Sequence, residues 1–241
     1  MLVHMRRFTQ EDLSKIRELT QTGASLREIS SLLKRSKSSV QYPYAKIKGK
    51  KPRQKDLSIG NLSMLELGWL FGFYAGDGSR NFRKKTYSYE VKFALNVREY
   101  AIVEYVEKLL RECGVKSWRC IDQKRVYVKC LNKSLYILFE KHLRWEGTRK
   151  SSSVRLTEPS SHGDDFLFGF LCGVIDADGG TKRLYISTSS EMLANDIREI
   201  CVKLNIASKT YQYDVFHIYL RKSDYLSVCE KFGFSSIKHR N

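Results

Sequence analysis

The 241-residue sequence has no apolar run near the ~20 residues that a membrane span needs. Its first residues, MLVHMRRFTQ, lack the apolar core of a secretory signal. Cys-x-x-Cys pairs are absent too. The six cysteines (Cys113, Cys120, Cys130, Cys172, Cys201 and Cys229) are scattered, mostly in apolar runs. That spacing argues against zinc sites and a disulfide framework and reads as reduced core thiols. Acid is scarce: 26 Asp and Glu stand against 43 Lys and Arg, a net charge of +17. Such an excess implies a polyanionic partner, nucleic acid or an acidic membrane surface. What is present is a 42% apolar fraction with 12% aromatics, enough for a sizeable core and against disorder. The expectation is a soluble intracellular protein of cytoplasm or nucleoid, with an organelle left open and no membrane partner.

Residues 1–46 read as three short helices. Thr9 can cap a helix bearing Leu13, Ile16 and Leu19, and Gly23 ends it. Ser25 opens a second helix with Leu26, Ile29, Leu32 and Leu33. A third starts at Ser36 and is expected to falter at Pro43. This pattern suits a helix-turn-helix, with Lys37, Ser38, Ser39 and Gln41 turned to DNA. The alternative is a small bundle that binds no nucleic acid. Residues 47–61 read as a basic linker: KIKGKKPRQK, at 46–55, has six basic residues and no acid.

From residue 62 the chain repeats itself. LGWLFGFYAGDGS (67–79) matches FGFLCGVIDADGG (168–180), and the matching aspartates Asp77 and Asp178 are 101 residues apart. Strand, amphipathic-helix, two-strand and final-helix patterns follow each in the same order. The reading is α+β: two αββαββα-like halves, 62–145 and 165–241, with internal pseudo-twofold symmetry, joined by a polar connector at 146–164.

Gly68, Gly72 and Gly76 recur every four residues, and Gly169, Gly173 and Ala177 hold the matching places. Small residues at this spacing form a smooth stripe along which two helix backbones can touch. If the stripes pack with like ends together, Asp77 and Asp178 emerge side by side. Two such carboxylates repel unless one is protonated or a cation lies between them. Oxygen-only ligands suit Mg²⁺, or Mn²⁺, and the carbonyls of Gly76 and Ala177 are candidate additional ligands.

LFGFYAGDG (70–78) and LCGVIDADG (171–179) resemble the two motifs of the LAGLIDADG homing endonucleases, in the form with both motifs on one chain. The resemblance covers about residues 62–236. It implies two saddle-shaped antiparallel sheets over DNA, a monomer, and metal-dependent hydrolysis of both strands at a long, asymmetric site. Intron or intein mobility is the family's usual context. By resemblance Asp77 and Asp178 are the catalytic acids, Lys129 matches a strand-end lysine, and Arg98 and Ser189 hold a polar position that orders water. The first motif has Ala75 where the second has Asp176, which is expected to support local structure. The alternatives are a catalytically silent DNA-binding regulator and an RNA-binding intron maturase.

The strand patterns agree with a DNA-facing surface. Tyr87, Tyr89, Val91, Phe93 and Leu95 alternate with Thr86, Ser88, Glu90, Lys92 and Asn96. Arg125, Tyr127 and Lys129 alternate with Val126, Val128 and Cys130. His217, Tyr219 and Arg221 alternate with Phe216, Ile218 and Leu220, while Arg183, Tyr185, Ser187 and Ser189 share an open face. Faces of Arg, Lys, Tyr and Ser suit groove and phosphate contacts.

Overall fold

A Ser, Thr or Asn side chain caps the start of most described helices and fixes where they begin. The computed structural model describes residues 8–48, 57–84, 86–147 and 149–239, which fall into two compact units divided between Gln54 and Lys55. Most of the basic tether, residues 49–56, lies outside the described residues.

In the first unit α1 (Gln10–Gln21) starts at a Thr9–Asp12 capping box, and α2 (Leu26–Leu32) at a Ser25–Glu28 capping box. Between them Gly23 takes a φ of 89°, and the amide of Ala24 donates to the carbonyl of Leu19 at 2.9 Å, closing α1. The third helix departs from expectation. α3 (Lys37–Ile47) runs through Pro43, whose ring is buried on the same face as Val40. One ladder hydrogen bond, to the Ser39 carbonyl, is forgone where the ring gains burial. The core is Ile16, Ile29 and Val40, and Leu32 is 62% exposed instead of joining it.

The second unit opens with α4 (Met64–Asp77), capped by a Ser63–Glu66 box. Then come β1 (Gly78–Arg83), β2 (Ser88–Asn96), α5 (Tyr100–Glu112), β3 (Ser117–Asp122), β4 (Arg125–Leu131) and α6 (Lys133–His142). The strands form one antiparallel sheet in the order β1-β2-β4-β3. Val91, Phe93, Leu95, Val126, Val128 and Cys130 are its buried face, as the alternation requires. Tyr87 is not part of it: at φ 48° and 79% exposed, it sits in the turn between β1 and β2.

The connector is structured. β5 (Leu143–Arg144) pairs with β6 (Arg155–Leu156), and Leu143, Val154 and Leu156 are buried. The second half has α7 (Asp164–Asp178), β7 (Tyr185–Thr188), α8 (Glu191–Lys203), β8 (Ser208–Gln212), β9 (Phe216–Leu220) and α9 (Lys222–Phe232). Its sheet has the order β7-β9-β8. The strand equivalent to β1 is reduced to a single bridge between Gly179 and Ile186. The stretch from Gly179 to Leu184 is too short for a full strand and a return turn, so this half is αβαββα.

α4 and α7 carry the common core, in which Trp69, Phe71, Phe73, Phe166, Phe168 and Phe170 are buried. All six cysteines lie among the described residues and none is in a disulfide; Cys113, Cys130, Cys172 and Cys201 are buried. No described helix is long and apolar enough to cross a membrane.

Candidate functional site

The small-residue stripes of α4 and α7 face each other. A Cβ at Gly68 would overlap the carbonyl of Phe166, one at Gly72 that of Phe170, one at Gly169 that of Leu65 and one at Gly173 that of Trp69. Position numbers rise together along both helices, so they run parallel with like ends adjacent. Only glycine allows backbones this close. At the far end a Cβ on Gly76 would lie 2.7 Å from Asp178 Oδ2. Asp77 and Asp178 are the last residues of their helices, and Gly78 and Gly179 continue in extended conformation. The two acids therefore sit together at one end of the seam.

Both are half-buried. Burial, then the charges of Asp178 and Glu99, push Asp77 up to about 7, against the pull of Lys238 and Lys150. Asp178 is raised by burial and held down by the same two lysines. Two helix C-termini add their partial negative charge. The site is short of positive charge, and two lysines partly supply it.

Lys150 Nζ donates to the carbonyls of Tyr74, Ala75 and Gly76, each at 2.7 Å, across the end of α4. Burial lowers Lys150 to about 8, opposed by Asp178 and Asp77. Lys238 Nζ donates to the carbonyls of Ala177 at 3.3 Å and Gly179 at 3.5 Å, at the end of α7, and pairs with Glu99 at 3.2 Å. Sequence reasoning misses both. They occupy matching places, a few residues past the final helix of each half, but in aperiodic segments where spacing carries no signal.

Each lysine is braced by the opposite half. The turn between β7 and α8 grips the segment around Lys150: Ser189 Oγ donates to the Ser151 carbonyl at 2.7 Å, and Ser190 Oγ to the Val154 carbonyl at 2.6 Å. Asp196 of α8 accepts from the Leu156 amide at 2.7 Å, and burial raises it to about 6. Reciprocally, Glu99, in the turn between β2 and α5, holds Lys238. Asp176, with no exposed surface, fixes the tail that carries it. Its Oδ2 accepts from Trp69 Nε1 at 2.7 Å and from the Ile237 amide at 2.8 Å, and its Oδ1 accepts from the Lys238 amide at 2.8 Å. Asp176 thus has the supporting place expected of it.

The carboxylate pair fits a hard divalent cation such as Mg²⁺ or Mn²⁺. Among the described residues no group of three or more His, Cys, Asp or Glu is arranged to hold a metal. The candidate ligands Gly76 and Ala177 offer carbonyls already bonded to the lysines. A cation held by these acids would need further oxygen ligands from water or phosphate, or one of these carbonyls freed from its ammonium.

The open sheet faces carry the other candidates. Lys92 lies opposite Lys129, Ala94 opposite Tyr127 and Asn96 opposite Arg125, so Lys92, Lys129, Tyr127 and Arg125 share the face away from the helices. The ammoniums of Lys92 and Lys129 lie 5.1 and 5.5 Å from the Tyr127 ring. Lys129 contacts the Tyr127 ring on this sheet face, and Lys150 and Lys238 place ammoniums at the two helix ends. In the second sheet Tyr185 stacks on Tyr219 with centroids 5.5 Å apart, and Ser187 Oγ lies 2.9 Å from His217 Nδ1. Arg183, Tyr219 and Arg221 line an open cavity of about 770 Å³ with Lys209, Tyr211 and Tyr213. Arg98 is exposed in the turn between β2 and α5; the Ser189 hydroxyl is spent on the connector. In the first unit Lys37 and Gln41 are exposed, whereas Ser39 is half-buried and its hydroxyl donates to the Ser36 carbonyl at 2.7 Å.

A family model described as a LAGLIDADG-like domain matches residues 165–237. Mesophilic variants of the homing endonuclease I-DmoI have a similar structure, at 16% identity and a TM-score of 0.55, covering 71% of this chain and 96% of that one. I-DmoI in complex with DNA and Ca gives 16% identity and a TM-score of 0.55, covering 70% and 89%. I-DmoI in complex with DNA and Mn gives 17% and 0.55, covering 74% and 98%. No curated protein matches.

Proposed function

We propose that this chain, whose residues 165–237 match a LAGLIDADG-like domain and whose fold is similar to that of I-DmoI, is a site-specific endonuclease that hydrolyses both strands of duplex DNA. The observation that carries this reading is the pair of acids, Asp77 and Asp178, ending two parallel helices in glycine contact. Both motifs lie on one chain, so a monomer has a complete site and recognises an asymmetric target.

The open sheet faces grip the duplex, with Lys92, Arg125, Lys129, Arg183, Lys209 and Arg221 on phosphates and the tyrosines, Ser187 and His217 toward base edges and sugars. Asp77 and Asp178 would hold Mg²⁺ or Mn²⁺, which supplies phosphate polarisation and an acidified water. Lys150 and Lys238 do three things. They neutralise the helix-end carbonyls, oppose the rise in the proton affinity of the two acids, and set an ammonium beside each helix end, where charge grows on the phosphate. Glu99, Asp176, Ser189 and Ser190 hold those lysines in register. Selection of cleaved molecules from a randomised DNA library in Mg²⁺ tests the reading: one long, asymmetric site is expected, and no enriched site overturns it.

A second reading is a DNA-binding regulator without cleavage, favoured by one observation. The helix-end carbonyls are bonded to ammoniums, so the seam is neutralised in part without metal. Its signature is sequence-selective DNA binding with no Mg²⁺-dependent cleavage.

A further inference from the structure

The nuclease reading uses nothing from the first unit. That unit is nevertheless built around one unpartnered helix face. α3 buries Val40 and Pro43 against the core containing Ile16 and Ile29, and α1 and α2 both pack on it. Tyr44 OH donates to the Ala24 carbonyl at 3.4 Å, tying α3 to the turn between α1 and α2, and Arg35, just before α3, pairs with Asp12 of α1 at 2.7 Å. Its other side presents Lys37, Ser38, Gln41, Tyr42 and Lys46, all exposed, in two rows four residues apart. Tyr42 is 67% exposed, beside Gln41. A protein does not gain stability by leaving a tyrosine ring there.

Charge says what covers this face. The acids of residues 1–54 are Glu11, Asp12, Glu18 and Glu28, all within α1 and α2. From residue 29 to residue 55 there is no acid and there are nine Lys or Arg. The first turns of α1 and α2 carry acids, while that of α3 carries none, leaving its positive N-terminal end uncompensated. An acidic protein would match the charge, but a groove lined by phosphates also matches the shape. A helix about 10–12 Å across fits a major groove about 12 Å wide. Lysines at both ends of the row reach phosphates, and Gln41 suits the bidentate pattern of adenine.

We propose that the exposed face of α3 docks in the major groove of duplex DNA and reads a short block of sequence in addition to the site gripped by residues 62–239. From Lys37 to Lys46 the helix extends about 14 Å, room for about four base pairs. Joined covalently to the larger unit, even a weak reader acts at high effective concentration and lengthens the recognised site. As an extension of the target the inference rests on the nuclease reading; as a DNA interface it does not.

The test is binding selection from randomised duplex DNA, in EDTA, with the full chain and with a full-chain variant carrying Lys37→Ala, Gln41→Ala and Tyr42→Ala. All three side chains are exposed, so the core of the unit is kept, and an unchanged circular-dichroism melt verifies this. The wild type should yield a block of about four base pairs that the variant loses, with affinity for the full site falling about 10- to 100-fold and a shallower salt slope. Identical enriched sequences and equal affinities would overturn the proposal. So would equal losses on every sequence, since the face then touches only phosphates. If the block is found but nothing is cleaved, the nuclease reading fails and this one stands. If DNA is cleaved but the variant keeps the same consensus, the nuclease reading stands and this one fails.

Discussion

At the end of α4, three carbonyls share one ammonium, Lys150, delivered by a connector that β5 and β6 pin in place. At the end of α7, Lys238 makes two longer bonds and an ion pair with Glu99, and the tail carrying it is nailed down by the buried Asp176. In the first half the place of Asp176 is taken by Ala75. The same arrangement, an ammonium on a helix end beside an acid, is thus reached by two scaffolds. In both, the brace comes from the strand-to-helix turn of the other half. A duplicated fold keeps the chemistry at its axis while its periphery diverges. The second sheet has reduced one strand to a bridge without moving its acid from the seam.

The largest expected effect comes from removing either ammonium. Lys150→Met and Lys238→Met should each lower cleavage on the order of 10²-fold, with DNA affinity in EDTA held within about threefold, a split that global unfolding would not give. Arginine sharpens the comparison. Three carbonyls converging on one point suit a compact ammonium and not a planar guanidinium, so Lys150→Arg should not rescue, while Lys238→Arg should rescue in part. Equal rescue at both positions would deny the difference between the two ends.

Stability separates the halves next. Asp176→Ala leaves Trp69 Nε1 and two amides without their acceptor and should cost about 3 kcal/mol in urea unfolding. Making the first half resemble the second, by Ala75→Asp, should destabilise by a similar amount. Ala75 is 2% exposed, and the indole and tail amides that satisfy a buried carboxylate are already committed to Asp176. A neutral Ala75→Asp would show that the halves are interchangeable.

A smaller effect concerns pH. Asp77 sits near 7 when folded, above its unfolded value of about 4. Its contribution to stability is therefore full below about pH 4 and is lost as pH rises toward 7. Asp77→Asn should flatten that decline and raise the metal-free melting temperature at pH 7.5 by about 4 °C or more. Added Mg²⁺ should stabilise the wild type and not the variant.

Much of this is legible in the sequence. Small residues every four positions, seen twice, predict a close helix–helix seam, while its parallel sense comes from the structure. Alternation predicts the sheet faces, and it places Lys92 and Lys129 on one of them. The lysines at the acids stay hidden, since Lys150 and Lys238 act from turns where no period ties a residue to a place. Pro43 escapes the sequence rule because a helix breaker in isolation can be a core residue in context. Leu32 and Tyr87 escape it at the ends of periodic runs, where tertiary packing and a turn decide.

The most direct measurement is Mg²⁺-dependent cleavage of a plasmid bearing the selected site by the wild type, Asp77→Asn and Asp178→Asn. Paired acids at one seam predict linear product from the wild type and a loss of at least about 10³-fold in each variant, with DNA binding kept. Full cleavage by either variant would contradict a shared site at the axis.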